Sequence, residues 1–388
     1  MNSWKRAFSM SVGLPSAPLH FAAHSHHPWP DISHAAHERA WRDAATLLDR
    51  KWDKVFGEVI PAAQGHVARH LNLPSPHTVT FAPNTHEFLI RILSCFPQPK
   101  RLRVLSTDSE FHTFTRQMGR LQEEDLVELT TIPAQPYATF AERFGNACAS
   151  GQYDLIFLSN VFFNSGFWVQ DLAALVEAIR DTGTLIVIDG YHSFMAVPLD
   201  LHAIAGRVFY MSGGYKYAMA GEGCAFLHAP EGYGPRPRNT GWFAEFAELA
   251  VHRAGTVGYA NDAMRFMGAT FDPSGLYRFN AVMDWLEGEG LTVEVMRAHA
   301  RALQSQLITL LSRAKHKIRP DQALLHPDDP ALARFLTFEM DGAQAIQKAL
   351  MQDGIITDAR GRRLRIGFGI YQDEDDVGKL CHALKDGL

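Results

Sequence analysis

A carboxylate, an imidazole and a primary amine stand close together in the middle of the sequence. Asp189 ends the apolar run TLIVID, His192 follows in DGYH, and Lys216 lies in SGGYKY after the apolar run RVFYM. Such runs predict strands, and in an open α/β sheet ligands bind at the carboxyl ends of neighbouring strands. A lysine and a carboxylate at that edge suit a Schiff base to pyridoxal phosphate, in which the carboxylate holds the proton of the pyridinium nitrogen.

Glycines flank the lysine on both sides, at Gly213, Gly214, Gly221 and Gly223. Glycine lets the backbone approach a ligand closely, which favours a binding site around Lys216. Taken singly, each residue has a plainer interpretation, because Asp189 also suits a helix cap and Lys216 a solvent-exposed surface. The spacing alone leaves both interpretations open.

The elements that must position these residues form an alternating pattern. Apolar segments at residues 154–159, 184–189, 207–211 and 224–228 predict strands that are buried on both faces. Between the first two lies a helical apolar spacing over residues 172–179, with Asp171 as its N-cap and Gly183 as its stop. A strand, a helix and a strand within about thirty residues predict an α/β fold with a mainly parallel sheet covered by helices.

The pattern changes after residue 274. Helices are predicted at residues 292–314, 342–353 and 374–385, and strands at residues 335–340 and 364–368. We therefore predict a large domain over residues 20–274 and a smaller α+β domain over residues 275–388, with residues 1–19 packing against the smaller one.

Composition restricts the class of protein. Of the 388 residues, 46% are hydrophobic and 20% are charged, which is typical of a globular chain, and the formal net charge of −5 argues against a nucleic-acid partner. No apolar run approaches the roughly 20 residues of a membrane span, and the N-terminal apolar stretch is broken before a secretory signal forms. We expect a cytoplasmic protein without a membrane partner.

Cysteines and histidines do not predict a metal site. The four cysteines lack paired spacing, which argues against a disulfide framework or a zinc site. The run HSHHPWP, residues 24–30, offers adjacent histidines but no carboxylate or cysteine that completes a standard ligand set. A loop that faces the substrate and a plain exposed loop are both open interpretations of this run.

Seven segments spread along the chain resemble the motifs of one family. They are STDSEFHTF, LIFLSNVFFNSGFW, DGYHSFMAVPLDLHAI, GGYKYAMAGEGCAFLH, GWF, RFMGAT and LRIGFGIYQDEDDV. In this order they resemble the class V aminotransferase group of fold-type I pyridoxal-phosphate enzymes, and kynureninases in particular. The resemblance implies a fold-type I transferase fold with pyridoxal 5'-phosphate as the cofactor.

The resemblance also implies roles for residues at the matching positions. Lys216 carries the cofactor, Asp189 pairs with the pyridine nitrogen and His192 supports that carboxylate. Phe111 stacks on the ring, while the phosphate is held by Thr85, His86, Tyr215, Trp242 and Thr270. Because Thr270 acts from the neighbouring subunit in relatives, a homodimer with shared active sites is implied.

Substrate contacts are implied as well. Arg365 binds the carboxylate of an amino-acid substrate through the planar fork that only arginine provides. Ser25 or His26 faces the substrate, because HSHHPWP resembles a segment that borders the active site in kynureninases. A salt-bridged surface arginine is the alternative interpretation of Arg365.

Several residues depart from the family pattern. Phe162 stands where relatives often carry a polar residue near the phenolic oxygen of the cofactor, and Asn160 or Asn164 are candidates to replace that group. His112, Ala244 and Glu245 also differ, at the substrate end. These departures predict that L-kynurenine is at best a modest substrate.

Hydrolytic Cβ–Cγ cleavage of an α-amino acid is the leading function that this resemblance implies. Amino transfer to a keto acid is the alternative, and a non-catalytic pyridoxal-phosphate-binding protein is a further one. Cysteine desulfurase activity needs a cysteine on a mobile loop, whereas Cys381 falls in a predicted C-terminal helix. A nicotinamide dehydrogenase is disfavoured because no GxGxxG follows a strand.

Overall fold

The computed structural model describes residues 3–97, 100–232, 235–248 and 255–385. Its strands are β1 (Leu19–His20), β2 (Val79–Ala82), β3 (Leu102–Thr107), β4 (Val127–Ile132), β5 (Leu155–Ser159), β6 (Leu185–Asp189), β7 (Val208–Gly213), β8 (Ala225–His228), β9 (Phe335–Glu339), β10 (Ile355–Ile356), β11 (Asp358–Arg360) and β12 (Arg363–Gly367). Its α-helices are α1 (Ile32–Leu47), α2 (Lys51–Lys54), α3 (Ile60–Leu71), α4 (Thr85–Leu93), α5 (His112–Glu123), α6 (Phe140–Ser150), α7 (Leu172–Glu177), α8 (Ser274–Gly288), α9 (Val293–Leu311), α10 (Ala343–Gln352) and α11 (Glu374–Ala383).

A seven-stranded sheet forms the centre of the molecule, in the order β2-β8-β7-β6-β5-β3-β4. Only β8 runs antiparallel to its neighbours β2 and β7, and the other pairs of this described sheet are parallel. Strands β5, β7 and β8 are buried at every residue, as their unbroken apolar character requires. The prediction of a mainly parallel sheet covered by helices is confirmed.

The predicted helix between β5 and β6 is present but shorter than expected. Its cap is as predicted, because the carboxylate of Asp171 accepts a hydrogen bond from the backbone N–H of Ala174 at 2.9 Å. The helix α7 ends at Glu177, well before Gly183. The side chain of Asp181 accepts from the N–H of Gly183 at 2.8 Å, so a local turn replaces the last helical residues.

The C-terminal part contains a separate antiparallel sheet in the order β11-β12-β9. Strands β9 and β12 and the helices α9, α10 and α11 lie within a few residues of the predicted segments, whereas β11 was not predicted. The N-terminal segment packs here, since β1 pairs in parallel with β10 and Ala22 forms a bridge with Gly367. The N–H of Trp4 donates to the carbonyl oxygen of Ile370 at 2.9 Å.

One hydrophobic cluster joins these parts. It contains Phe21 from the N-terminal segment, Phe226 from β8 and Phe368 from the C-terminal part. The division near residue 274 stays a prediction, although α8 does begin at Ser274. None of the described helices is both long enough and apolar enough to span a bilayer.

Candidate active site

A cavity of about 230 Å³ lies at the edge of the main sheet where β5, β6 and β7 end. Seven of the site residues predicted from the sequence line it: Thr85, His86, Phe111, Asp189, His192, Tyr215 and Lys216. These residues come from four separate stretches of the chain, which the parallel sheet brings together. The cavity has the position expected for a ligand site in an open α/β sheet.

Lys216 is the most deeply enclosed charged group of this cavity. Its side chain is 4% exposed, and Nζ lies 2.9 Å from Nε2 of His192. The rings of Phe111 and Tyr191 surround it, with centroids 5.4 and 5.0 Å from Nζ. Burial lowers the pKa of Lys216 to about 7, against the opposing attraction of Asp189. A lysine with so low a pKa supplies the neutral amine that attacks a carbonyl carbon.

Asp189 is the last residue of β6 and faces the same cavity. Its carboxylate accepts a hydrogen bond from the backbone N–H of Tyr191 at 2.9 Å. Burial raises the pKa of Asp189, whereas the Tyr191 N–H and Lys216 favour the ionised form. Burial also holds the pKa of His192 well below its usual range, so the imidazole next to Lys216 is neutral. A carboxylate at this position is suited to hold the proton of a ring nitrogen.

The N-terminus of α4 forms another wall of the cavity. The side chain of Asn84 caps this helix by accepting from the N–H of Glu87 at 3.2 Å. Thr85 and His86 follow at the first helical positions and line the cavity. The free N–H groups and the dipole at a helix N-terminus attract a dianion. Amine, carboxylate and helix terminus therefore fit the aldehyde, the ring nitrogen and the phosphate of pyridoxal phosphate.

A second buried carboxyl lies behind this site. Glu110 accepts hydrogen bonds from the hydroxyl of Thr107 at 2.7 Å and from the N–H of Ser159 at 3.1 Å. It thereby joins the ends of β3 and β5, and Ser159 lines the cavity. Burial, with a smaller contribution from Asp189, raises the pKa of Glu110 to about 7.

Arg365 is buried next to the cavity and does not itself line it. The guanidinium, 3% exposed, donates to the carboxylate of Asp358 and to the carbonyl oxygen of Phe163. The ring of Phe163 lines the cavity, and its centroid lies 5.7 Å from Cζ of Arg365. Among the described residues, Nε of Arg365 has no hydrogen-bond partner. The alternative of a surface arginine does not hold for this buried side chain.

Besides Arg365, four predicted site residues do not line the cavity of this chain. Trp242 is 46% exposed, and the segment that carries it contacts the one before Thr270, since the N–H of Phe243 donates to the carbonyl oxygen of Gly268 at 3.1 Å. Ser25 and His26 lie in a turn beside the cavity, where the ring of His26 is 5.9 Å from that of Tyr215. The roles assigned to these four residues stay predictions.

The Phe162 side chain is in the core instead of at the cofactor position. Its ring is fully buried against Phe140 and Phe167, at centroid distances of 5.1 and 5.6 Å. Ser159 lines the cavity from the same strand end, while Oδ1 of Asn160 is buried without a partner among the described residues.

Sequence reasoning overlooked several cavity residues: Asn84, Ser159, Phe163 and Tyr191. Two of them carried a usable signal. Asn84 stands directly before Thr85 as a helix cap would, and Tyr191 lies between Asp189 and His192 in the DGYH motif.

Comparison with other sequences identifies relatives along most of the chain. Residues 49–380 match the model of the aminotransferase class-V family. A probable cysteine desulfurase of Vibrio cholerae serotype O1 is 22% identical over 340 residues, which cover 83% of this chain and 81% of that protein. A kynureninase of Pseudomonas fluorescens is 28% identical over 222 residues, which cover 55% of this chain and 51% of that protein.

Solved structures share the whole fold. A mutant of C-DES with glycine covalently linked to its PLP cofactor has a TM-score of 0.83 and 19% identity, covering 99% of this chain and 100% of that chain. The complex of the cystine C–S lyase C-DES with its product cysteine persulfide has a TM-score of 0.81 and 19% identity, covering 96% of this chain and 98% of that chain. At these identities the similarity concerns the fold.

Proposed function

The chain belongs to the class-V aminotransferase family and is a pyridoxal-phosphate-dependent enzyme, and from this premise we propose that it cleaves a bond at the β-carbon of an α-amino acid by kynureninase-like hydrolysis. The aromatic wall of the cavity carries this proposal. The rings of Phe111 and Phe163 line the cavity and pack edge to face, at a centroid distance of 5.5 Å and an angle of 89°. Such edge-to-face rings favour an aromatic side chain in the substrate.

The residues around the cavity divide the chemistry among them. Bound pyridoxal phosphate supplies an electron sink for the bonds at the substrate's α-carbon. Lys216 would hold the cofactor, and its amine at Nζ would take the α-proton of the substrate. Asp189 keeps the pyridine nitrogen protonated, and neutral His192, 2.9 Å from Nζ, leaves the lysine amine free of a competing positive charge.

Charge around Arg365 supports an anionic group in the substrate. The carboxylate of Asp358 pairs with Arg365 and lies 3.6 Å from Nε of Arg360, so two guanidiniums share one carboxylate. His24, which is also close, is neutral because burial lowers its pKa to about 3. The cluster therefore keeps a net positive charge that the α-carboxylate of an amino acid neutralises.

Cysteine desulfurase activity, which the name of one relative suggests, finds less support. All four cysteines lie in the described part of the chain, and none of them lines the cavity. Burial raises the pKa of Cys95, Cys148 and Cys224 to about 12, so these thiols stay protonated. The attack of an enzyme thiolate on a substrate sulfur has no suitable group here.

We also propose that the enzyme is a homodimer. Trp242 and Thr270 are the two predicted phosphate ligands that this chain does not bring to its own cavity, and the segments carrying them are in contact with each other. These two segments would then contribute phosphate ligands to the cavity of a second copy of the chain.

Product analysis tests the proposed reaction. The holoenzyme is incubated with L-kynurenine, with L-cysteine plus a thiol reductant, and with an amino acid plus a keto acid, and the products are identified by chromatography. We expect anthranilate and alanine from kynurenine at a modest rate, and neither sulfide release nor amino transfer at a comparable rate. Lys216→Ala is the inactive control. Sulfide release or amino transfer without anthranilate overturns the hydrolytic assignment.

A further inference from the structure

Asp358 stands directly opposite Arg365 in the C-terminal sheet. Strands β11 and β12 are antiparallel, and their register pairs these two residues. Directly opposed residues have their side chains on the same face of a sheet, about 5 Å apart. The backbone alone therefore holds a carboxylate beside the guanidinium that we assign to the substrate.

Contacts of the two side chains agree with this register. Asp358 accepts from Nη2 of Arg365, while the carbonyl oxygen of Phe163 accepts from Nη1. Only Nε remains without a partner among the described residues. Two hydrogen bonds therefore fix the orientation of the guanidinium, and its Nε edge stays open to a further acceptor.

The remaining neighbours of Asp358 are weaker partners. Nε of Arg360 lies 3.6 Å away on a half-exposed side chain, and Nε2 of His24 lies 3.7 Å away. The His24 ring is buried and stacks on Phe335 at a centroid distance of 4.6 Å. Because His24 is neutral, the charge of Asp358 acts on the two guanidiniums, of which that of Arg365 lies nearer.

We propose that Asp358 is a positioning residue that orients Arg365 and at the same time limits how strongly Arg365 binds the substrate's carboxylate. This proposal rests on the assignment of Arg365 in the proposed function. The hydrogen bond fixes the guanidinium, whereas the negative charge opposes a second carboxylate on the same group. As a result, amino acids whose only strong contact is the α-carboxylate bind weakly. The contact of the substrate side chain with the aromatic cavity then determines which amino acid is bound.

Two substitutions of Asp358 separate orientation from charge. Asp358→Asn keeps an oxygen that accepts from Arg365 but removes the charge, whereas Asp358→Ala removes both. The probe is L-alanine, which is titrated into the holoenzyme while the visible absorbance of the bound cofactor is recorded. L-Alaninamide is the matched probe without a carboxylate.

We expect Asp358→Asn to tighten L-alanine binding roughly three- to tenfold and Asp358→Ala to weaken it by a similar factor. Binding of L-alaninamide should change less than about twofold in both variants, because it lacks the charge that Asp358 opposes. Arg360→Gln is a third variant, which should weaken L-alanine binding because Asp358 then acts on Arg365 alone. Thermal unfolding midpoints verify that each variant is folded.

The outcomes distinguish the role of Asp358 from the assignment of Arg365 on which it rests. Equal shifts of L-alanine and L-alaninamide, or shifts of the same sign in both Asp358 variants, overturn the role of Asp358. Arg365→Gln tests the underlying assignment and should weaken L-alanine selectively. If it weakens both probes alike, the carboxylate site itself is wrong.

Discussion

At the scale of single residues, the buried amine of Lys216 dominates the site, and its removal is the most direct test of the cofactor assignment. Lys216→Ala should abolish the visible absorbance of the lysine–cofactor linkage, while the helix terminus at Thr85 still retains the phosphate with weak affinity. Borohydride reduction of the wild-type protein, followed by peptide mapping, locates the labelled residue. A label on another lysine contradicts the assignment.

Asp189 supplies a second test at this scale. Asp189→Asn should lower kcat by several orders of magnitude, because leaving one member of a buried charge pair without its partner costs about 3–5 kcal/mol. Turnover is measured at matched cofactor occupancy, which absorbance reports. Asp171→Asn alters a carboxylate that only caps α7 and is the control. Near-normal turnover of the Asp189 variant would mean that its carboxylate is not part of the chemistry.

At the scale of elements, the α4 terminus connects helix stability to cofactor binding. Asn84→Ala removes the cap and should destabilise the protein by about 1 kcal/mol, and it should weaken cofactor binding because the first helical turn frays. Asp171→Ala removes a similar cap from α7, whose residues do not line the cavity. We expect it to lower stability without changing cofactor affinity. Equal affinity losses in the two variants would exclude a specific role for α4.

The elements differ in how far the sequence foretells them. Strands β5, β6 and β7 were predictable because both of their faces are buried, which demands a continuous apolar run. The pairing of β1 with β10 was not, because two-residue strands carry no periodicity and their partners lie more than 300 residues apart. Tertiary contacts alone determine that pairing.

The position of Asp358 opposite Arg365 was predictable only in part. Arg360 pairs with Arg363 across Gly361, whose positive φ of 57° suits a tight hairpin turn. The segment DARGRRLR therefore contains a hairpin signal, from which the register opposite Arg365 follows. The charge balance of the cluster required the structure, because the burial of His24 determines its protonation.

At the scale of the whole molecule, the proposed sharing of active sites between two subunits makes a quantitative prediction. A mixture of Lys216→Ala and Thr270→Ala proteins, dissociated and reassociated at random, contains half heterodimers. Each heterodimer has one cavity with an intact lysine from one copy and an intact threonine from the other. Activity should therefore recover to about a quarter of the wild-type value. Recovery no greater than the sum of the separate variants contradicts sites shared between subunits.

Buried histidines make the fold sensitive to acid. Burial lowers the pKa of His20 and His228 to about 4 and that of His24 and His27 to about 3. In the unfolded chain these groups titrate near 6.5, so below that pH the unfolded state binds more protons and stability falls. Each such group contributes up to about 1.4 kcal/mol per pH unit.

Denaturant unfolding between pH 7.5 and 4.5 measures this loss. His27→Phe should flatten the pH dependence, because Nε2 of His27 is buried without a partner among the described residues and its ring packs against Phe8 and Tyr371. His34→Gln changes an exposed histidine and is the matched control. A slope that is unchanged in His27→Phe removes this residue from the explanation.

Contacts between the N-terminal and C-terminal segments determine the order in which the fold is completed during synthesis. The cavity residues lie between Asn84 and Lys216, so their sheet can assemble while the ribosome is still translating the C-terminal part. Lys5, by contrast, pairs with Asp376, and Leu19 pairs with Ile355. These N-terminal residues therefore wait for partners that are translated more than 300 residues later. Arg365, which we assign to the substrate's carboxylate, is likewise put in place only after translation of β12. Assembly of the cavity can therefore precede this proposed substrate contact.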